Sequence, residues 1–103
     1  VSKPSNAPAA PKRIAVLAGD GIGPEVTAEA LRVLSAARDR FALPLAWDEL
    51  PWNAEYYLKH GRGMPEDGFD VLRSYGAILV GAYGDPRVPD MEHARQVLLG
   101  MRF

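Results

Sequence analysis

The feature that most restricts the fold is the junction at residues 14–24. There an apolar run, Ile14 to Leu17, leads into Gly19-Asp20-Gly21-Ile22-Gly23-Pro24, and an amphipathic stretch follows. An apolar run bounded by turn residues reads as a buried strand. Pro24 suits the first helical position, where a missing N–H costs nothing, and Glu25 favours the positive end of the helix dipole. Val26, Ala30, Leu31, Val33, Leu34, Ala37 and Phe41 then recur at helical spacing, with Thr27, Glu29, Arg32, Arg38 and Asp39 on the other side. The spacing predicts a helix to about Phe41.

The alternation continues. After Leu43-Pro44, residues Leu45, Trp47 and Glu49 alternate with Ala46, Asp48 and Leu50, as in a second strand. Asn53 caps a short helix, Ala54 to His60, stopped by Gly61 and Gly63, and Met64-Pro65-Glu66 opens another through Ser74 with Phe69, Val71 and Leu72 inward. Ala77 to Gly81 is apolar at every position, the pattern of a strand covered on both faces. A loop over Ala82 to Asp90 follows, and Met91, Ala94, Val97, Leu98 and Met101 predict a last helix that carries no stop signal before Phe103.

This order predicts an α/β fold of about three strands with flanking helices, an incomplete one, since α/β enzymes usually need two units of this size. Residues 1–12, with three prolines, read as a flexible tail, and 13–103 as the N-terminal fragment of the domain. Such a piece leaves a sheet edge unpaired and an apolar face uncovered, which favours association. Twelve basic residues against 13 acidic ones give a net charge of -1, too little to attract nucleic acid or an anionic membrane. Without cysteine there are no disulfides or thiolate zinc sites, which fits the cytoplasm. No apolar run approaches the roughly 18 residues of a membrane span.

The glycine stretch lies where a dinucleotide fingerprint would lie, yet the position for a third glycine holds Pro24, or Val26 in the other register. Asp20 and Glu25 would also repel phosphate. Two readings stay open: the glycines merely turn the backbone, or they border the ligand crevice at the carboxyl ends of parallel strands. Gly81-Ala82-Tyr83-Gly84-Asp85-Pro86 would reach the same rim. Arg95 and Arg102, seven residues apart, would share a helix face about 10 Å apart with Leu98 and Leu99 between them. They form either a carboxylate clamp beside an apolar lining or a solvated face. His60 reads as a helix-end residue, and His93 has no partner that suggests a metal. Trp47, Trp52, Tyr56 and Tyr57 read as core or interface aromatics.

The segments RIAVLAGDGIGPEV (13–26), GRGMPEDGFDVLRSYGAILVGAYGDPRVPD (61–90) and LLGMRF (98–103) strongly resemble the start of the isopropylmalate and tartrate dehydrogenases. These are β-decarboxylating dehydrogenases, a family that also includes isocitrate dehydrogenase. The resemblance implies a homodimer that uses NAD and Mg²⁺ or Mn²⁺ to oxidise a 2-hydroxy acid, such as 3-isopropylmalate, tartrate or malate, and then to release a β-carboxylate. It matches Arg102 to the first arginine gripping the malate carboxylate, and Leu98 and Leu99 to positions facing the variable substituent. Ile22 matches a residue beside the nicotinamide, flanked by the loop with Ala82 and Tyr83. Arg95 stands where isopropylmalate-type members carry a glutamate. The catalytic Tyr and Lys, the metal ligands and the adenine-binding loop are expected beyond Phe103, so this chain alone is expected to be inactive. The competing expectation is a standalone α/β binding or interaction module without catalysis.

Overall fold

The computed structural model describes residues 11–102. The first ten residues of the expected tail lie outside the described residues, and Lys12 already belongs to a strand. Three strands, β1 (Lys12–Gly19), β2 (Leu45–Glu49) and β3 (Ala77–Ala82), alternate with α1 (Ile22–Phe41), α2 (Ala54–His60) and α3 (Gly68–Arg73). All pairings are parallel and the spatial order is β2-β1-β3. The expected α/β architecture is thus present.

Sheet order explains the burial. β1 pairs on both sides, and Ala15, Val16 and Leu17 are fully buried. Ala15 and Leu17 join Trp52, Met64, Leu72 and Val97 in one apolar core, with Phe69, Val71, Val80 and Met101 packed around it. Intervening residues of β1 point to the opposite face, where α1 lies across β1 and β3. β3, which the sequence marks as the most enclosed strand, is an edge strand with Ala77 and Ile78 exposed. An unbroken apolar run records a demand for cover on both faces; it carries no information about strand order.

The helices depart from their sequence patterns in instructive ways. α1 begins two residues before the expected Pro24, because Gly21 adopts a positive φ of 57° and turns the chain early. Pro24 is then the third helical residue, another position whose N–H lacks an intrahelical partner. The inward face also differs: Gly23 and Thr27 are buried, whereas Val26, Val33 and Phe41 are exposed. The first turns of α1 approach the strand backbone so closely that only small side chains fit beneath them. A Cβ at Gly23 would lie 2.2 Å from the Ala18 carbonyl oxygen. Of the apolar stripe that spacing assigned to the core, Leu31, Leu34 and Ala37 are half-buried, while Val26, Ala30, Val33 and Phe41 face outward.

α2 has its expected bounds, with the Asn53 side chain accepting from the Tyr56 N–H at 2.9 Å. α3 is shorter than expected, since residues 65–68 form a turn closed by the Gly68 N–H on the Pro65 carbonyl. The last helix is not regular. A 3₁₀ turn (Pro89–Met91) with left-handed Asp90 and Met91 precedes α4 (Glu92–Ala94), a π-helical stretch (Arg95–Leu99) and α5 (Gly100–Arg102). Ala94 and Val97 are buried as spacing predicts, but Met91 is exposed because the left-handed turn directs it away.

No helix among the described residues is long and apolar enough to cross a membrane. Ile22, Val26, Val33, Phe41, Leu58 and Ile78 are large apolar residues left exposed, and β2 and β3 each have a free edge among the described residues. The 103-residue chain by itself is expected to self-associate, its sedimentation coefficient rising with concentration. A sharp, concentration-independent urea transition in dilute monomer would contradict this.

Candidate functional site

The glycine loop after β1 and the loop after β3 meet at the carboxyl ends of adjacent parallel strands. Gly19 turns at φ 87°, and the Asp20 N–H donates to the Ala82 carbonyl at 2.8 Å. The Asp20 side chain faces inward. It is buried and accepts three hydrogen bonds: from the Ala54 N–H at 2.6 Å, the Gly84 N–H at 3.0 Å and His93 Nε2 at 2.6 Å. One carboxylate thereby joins the β1 loop, the start of α2, the β3 loop and α4. A buried carboxylate is tolerated only when its lone pairs are occupied in this way.

Tyr83 also turns inward. Its hydroxyl donates to the Trp52 carbonyl at 2.6 Å, and its ring lies 5.7 Å from that of His93. Burial, and then the nearby Asp20 charge, push the phenol above its ordinary value of 10.0. The folded protein then holds the phenolic proton more tightly than the unfolded chain does. This contribution to stability is complete below pH 10.0 and is lost as pH rises toward the raised folded value. The melting midpoint is expected to fall with pH above 10.0, and Tyr83→Phe should flatten that alkaline limb; an unchanged slope would exclude Tyr83 as its cause.

Around this knot the surface is tied by charge. Arg87 bridges Asp85 at 2.8 Å and Glu55 at 2.6 Å, joining the β3 loop to α2. Hydrogen bonds from the Arg87 side chain and backbone lower Asp85 to about 2. The Tyr57 hydroxyl donates to Glu92 at 2.5 Å, and that bond chiefly raises the Tyr57 phenol. Gln96 accepts from the Gly63 N–H at 2.7 Å.

The residues expected at a site fall into distinct environments. Ile22, at the start of α1, is 61% exposed, an apolar surface beside the glycine loop on which a flat ring could rest. Ala82 is half-buried with its carbonyl engaged by Asp20, and the inward Tyr83 does not offer its hydroxyl to a ligand. Leu98 is half-buried against the core, while Leu99 and Arg95 are exposed. Arg102 lies in α5, and its side chain is outside the described residues.

Arg95 begins the π-helical stretch and Arg102 ends α5, so the run that joins them is not a regular α-helix. Among the described residues no three His, Cys, Asp or Glu side chains cluster as metal ligands. A cavity of about 510 Å³ borders Phe69, Leu72, Ile78 and Met101 at the start of β3 rather than at the strand tips. The Asp20–His93 pair escaped sequence reasoning. Its only signal is that His93 lies one helical turn before buried Val97, on the inward side.

Comparison with known proteins adds a second line of observation. The profile of the family described as isocitrate/isopropylmalate dehydrogenase matches residues 13–103. A probable tartrate dehydrogenase/decarboxylase of Bacillus subtilis is 43% identical over 91 residues, covering 86% of this chain and 26% of that protein. A 3-isopropylmalate dehydrogenase of Thermobifida fusca is 45% identical over 91 residues, covering 88% and 26%. The crystal structure of an apo β-decarboxylating dehydrogenase from Thermococcus kodakarensis superposes with a TM-score of 0.67 at 30% identity, covering 87% of this chain and 25% of that one. The chain thus spans about a quarter of the length of the relatives it matches.

Proposed function

The chain belongs to the isocitrate/isopropylmalate dehydrogenase family, and from that premise we propose that the protein carrying it oxidises a small 2-hydroxy acid with NAD and releases a β-carboxylate as CO₂. The observation that carries this reading is the pair of loops at the carboxyl ends of β1 and β3, held together through Asp20, with Ile22 exposed beside them. In open parallel sheets such loops border the ligand crevice.

When bound, NAD would supply the hydride acceptor, and Mg²⁺ or Mn²⁺, on ligands outside this chain, would neutralise charge on the hydroxy-acid oxygens. Within the chain, Ile22 supports one side of the ring and excludes water there, and the backbone at Ala82 and Tyr83 closes the adjoining wall. Arg102 orients the substrate carboxylate. Leu99, exposed on the helical run, meets the variable substituent, and Leu98 anchors that run to the core. Arg95, exposed at the start of the π-helical stretch, contributes at the margin of the site.

Similar proteins are described as a probable tartrate dehydrogenase/decarboxylase, a 3-isopropylmalate dehydrogenase and a decarboxylating D-malate dehydrogenase, so all three acids belong in the test. The proposal includes a homodimer in the cytoplasm. Full-length protein with Mg²⁺ or Mn²⁺ and NAD should form NADH and release CO₂ with at least one of the three acids. Absence of turnover with all three would overturn the reading.

A further inference from the structure

The Asp20–His93 pair is the most enclosed polar contact among the described residues. His93 is fully buried, Asp20 is 8% exposed, and the contact spans 73 positions of sequence. Three donors converge on the Asp20 carboxylate, and each comes from a different segment. On the histidine side, Nδ1 is buried and has no hydrogen-bond partner. A proton there would be stranded without an acceptor, whereas the carboxylate facing Nε2 accepts one. The network therefore assigns the ring proton to Nε2, which donates to Asp20 and leaves Nδ1 as a bare lone pair. The ring is flanked by Tyr83 and Tyr57, at centroid distances of 5.7 and 6.2 Å, which limits its rotation.

The two residues belong to the two segments that the proposed site draws on. Asp20 lies two residues before Ile22, and His93, the second residue of α4, precedes the helical run that continues through Leu98, Leu99 and Arg102. We propose that His93 and Asp20 are positioning residues, a latch that fixes the cofactor-facing glycine loop against the substrate-facing helical run. The proposal rests on the dehydrogenase reading for what the two segments bind, but not for the latch itself. The left-handed Asp90 and Met91 lie immediately before His93, and the wide π-helical turn follows it, so its segment is bounded by two irregularities of the backbone. A specific tether from Asp20 restrains it between them.

Leucine at 93 removes the donor while keeping bulk. Glutamine can place an N–H near the position of Nε2 and serves as the conservative rescue. In the full-length protein, hydrogen exchange read by mass spectrometry should be at least about 10-fold faster for H93L over residues 92–101 and 19–23, and should return toward wild type in H93Q. Equal exchange in all three proteins, or acceleration spread evenly over the chain, would overturn the latch. Steady-state kinetics below the melting midpoint of each variant form the second arm. H93L should lose at least about 10-fold in kcat per folded molecule with KM changed less, and H93Q should recover most of it; an unchanged kcat would overturn positioning. If wild-type protein turns over no hydroxy acid, the functional reading fails while the exchange arm still decides the latch.

Discussion

If the protein is the dehydrogenase proposed above, Arg102→Ala in the full-length protein is expected to lower kcat/KM for the hydroxy acid by about 100-fold or more. A hundredfold corresponds to about 2.7 kcal/mol of transition-state stabilisation. That is within the range of about 2–5 kcal/mol lost when one partner of a desolvated, hydrogen-bonded charge pair is truncated. Arginine suits the task because its planar fork meets both oxygens of a carboxylate, so Arg102→Lys should recover only part of the loss. The structure supplies an internal control. Arg95 is exposed at the start of the π-helical stretch, seven residues before Arg102, and takes the margin of the proposed site, so Arg95→Ala should cost only a few-fold in the same assay. Comparable losses from the two variants would mean that Arg95 is not marginal. An unaltered kcat/KM for Arg102→Ala would remove that residue from the site.

What the sequence disclosed and what it withheld follow from the range of the interactions involved. α2 was legible to the residue, because Asn53 and Gly61 act through bonds to their own helix. The strands were legible as runs, because burial of consecutive apolar residues is a local demand. The position of β3 at the sheet edge was not, since strand order depends on which partners arrive from elsewhere in the chain. The inward face of α1 was misread for a related reason. Periodicity counts apolar residues, but the close approach of helix to strand is governed by size, and Gly23 and Thr27 occupy the contact in place of Val26 and Val33. The site itself was legible as two glycine loops. The carboxylate joining them was not legible, because nothing near Asp20 in sequence announces that its donors come from Ala54, Gly84 and His93.

The same close approach underlies the second large effect. Gly23→Ala is expected to destabilise the protein by about 3 kcal/mol or more, at the upper end for overpacking or beyond it. The added Cβ would meet the Ala18 carbonyl oxygen at 2.2 Å and the Ala82 carbonyl oxygen at 2.5 Å. Both atoms belong to backbone in paired strands, so no side-chain rotation can relieve the contact and the helix itself must retreat. Retreat would shift Ile22 and strain the bond from the Asp20 N–H to Ala82, so a loss of cofactor affinity should accompany the loss of stability. Urea unfolding of the full-length protein measures the first effect, and NAD titration below the transition measures the second. Because the alanine methyl is apolar and alanine favours helices, propensity alone predicts the opposite sign. A midpoint that rises on substitution would mean that α1 does not lie as close to β1 and β3 as this packing requires.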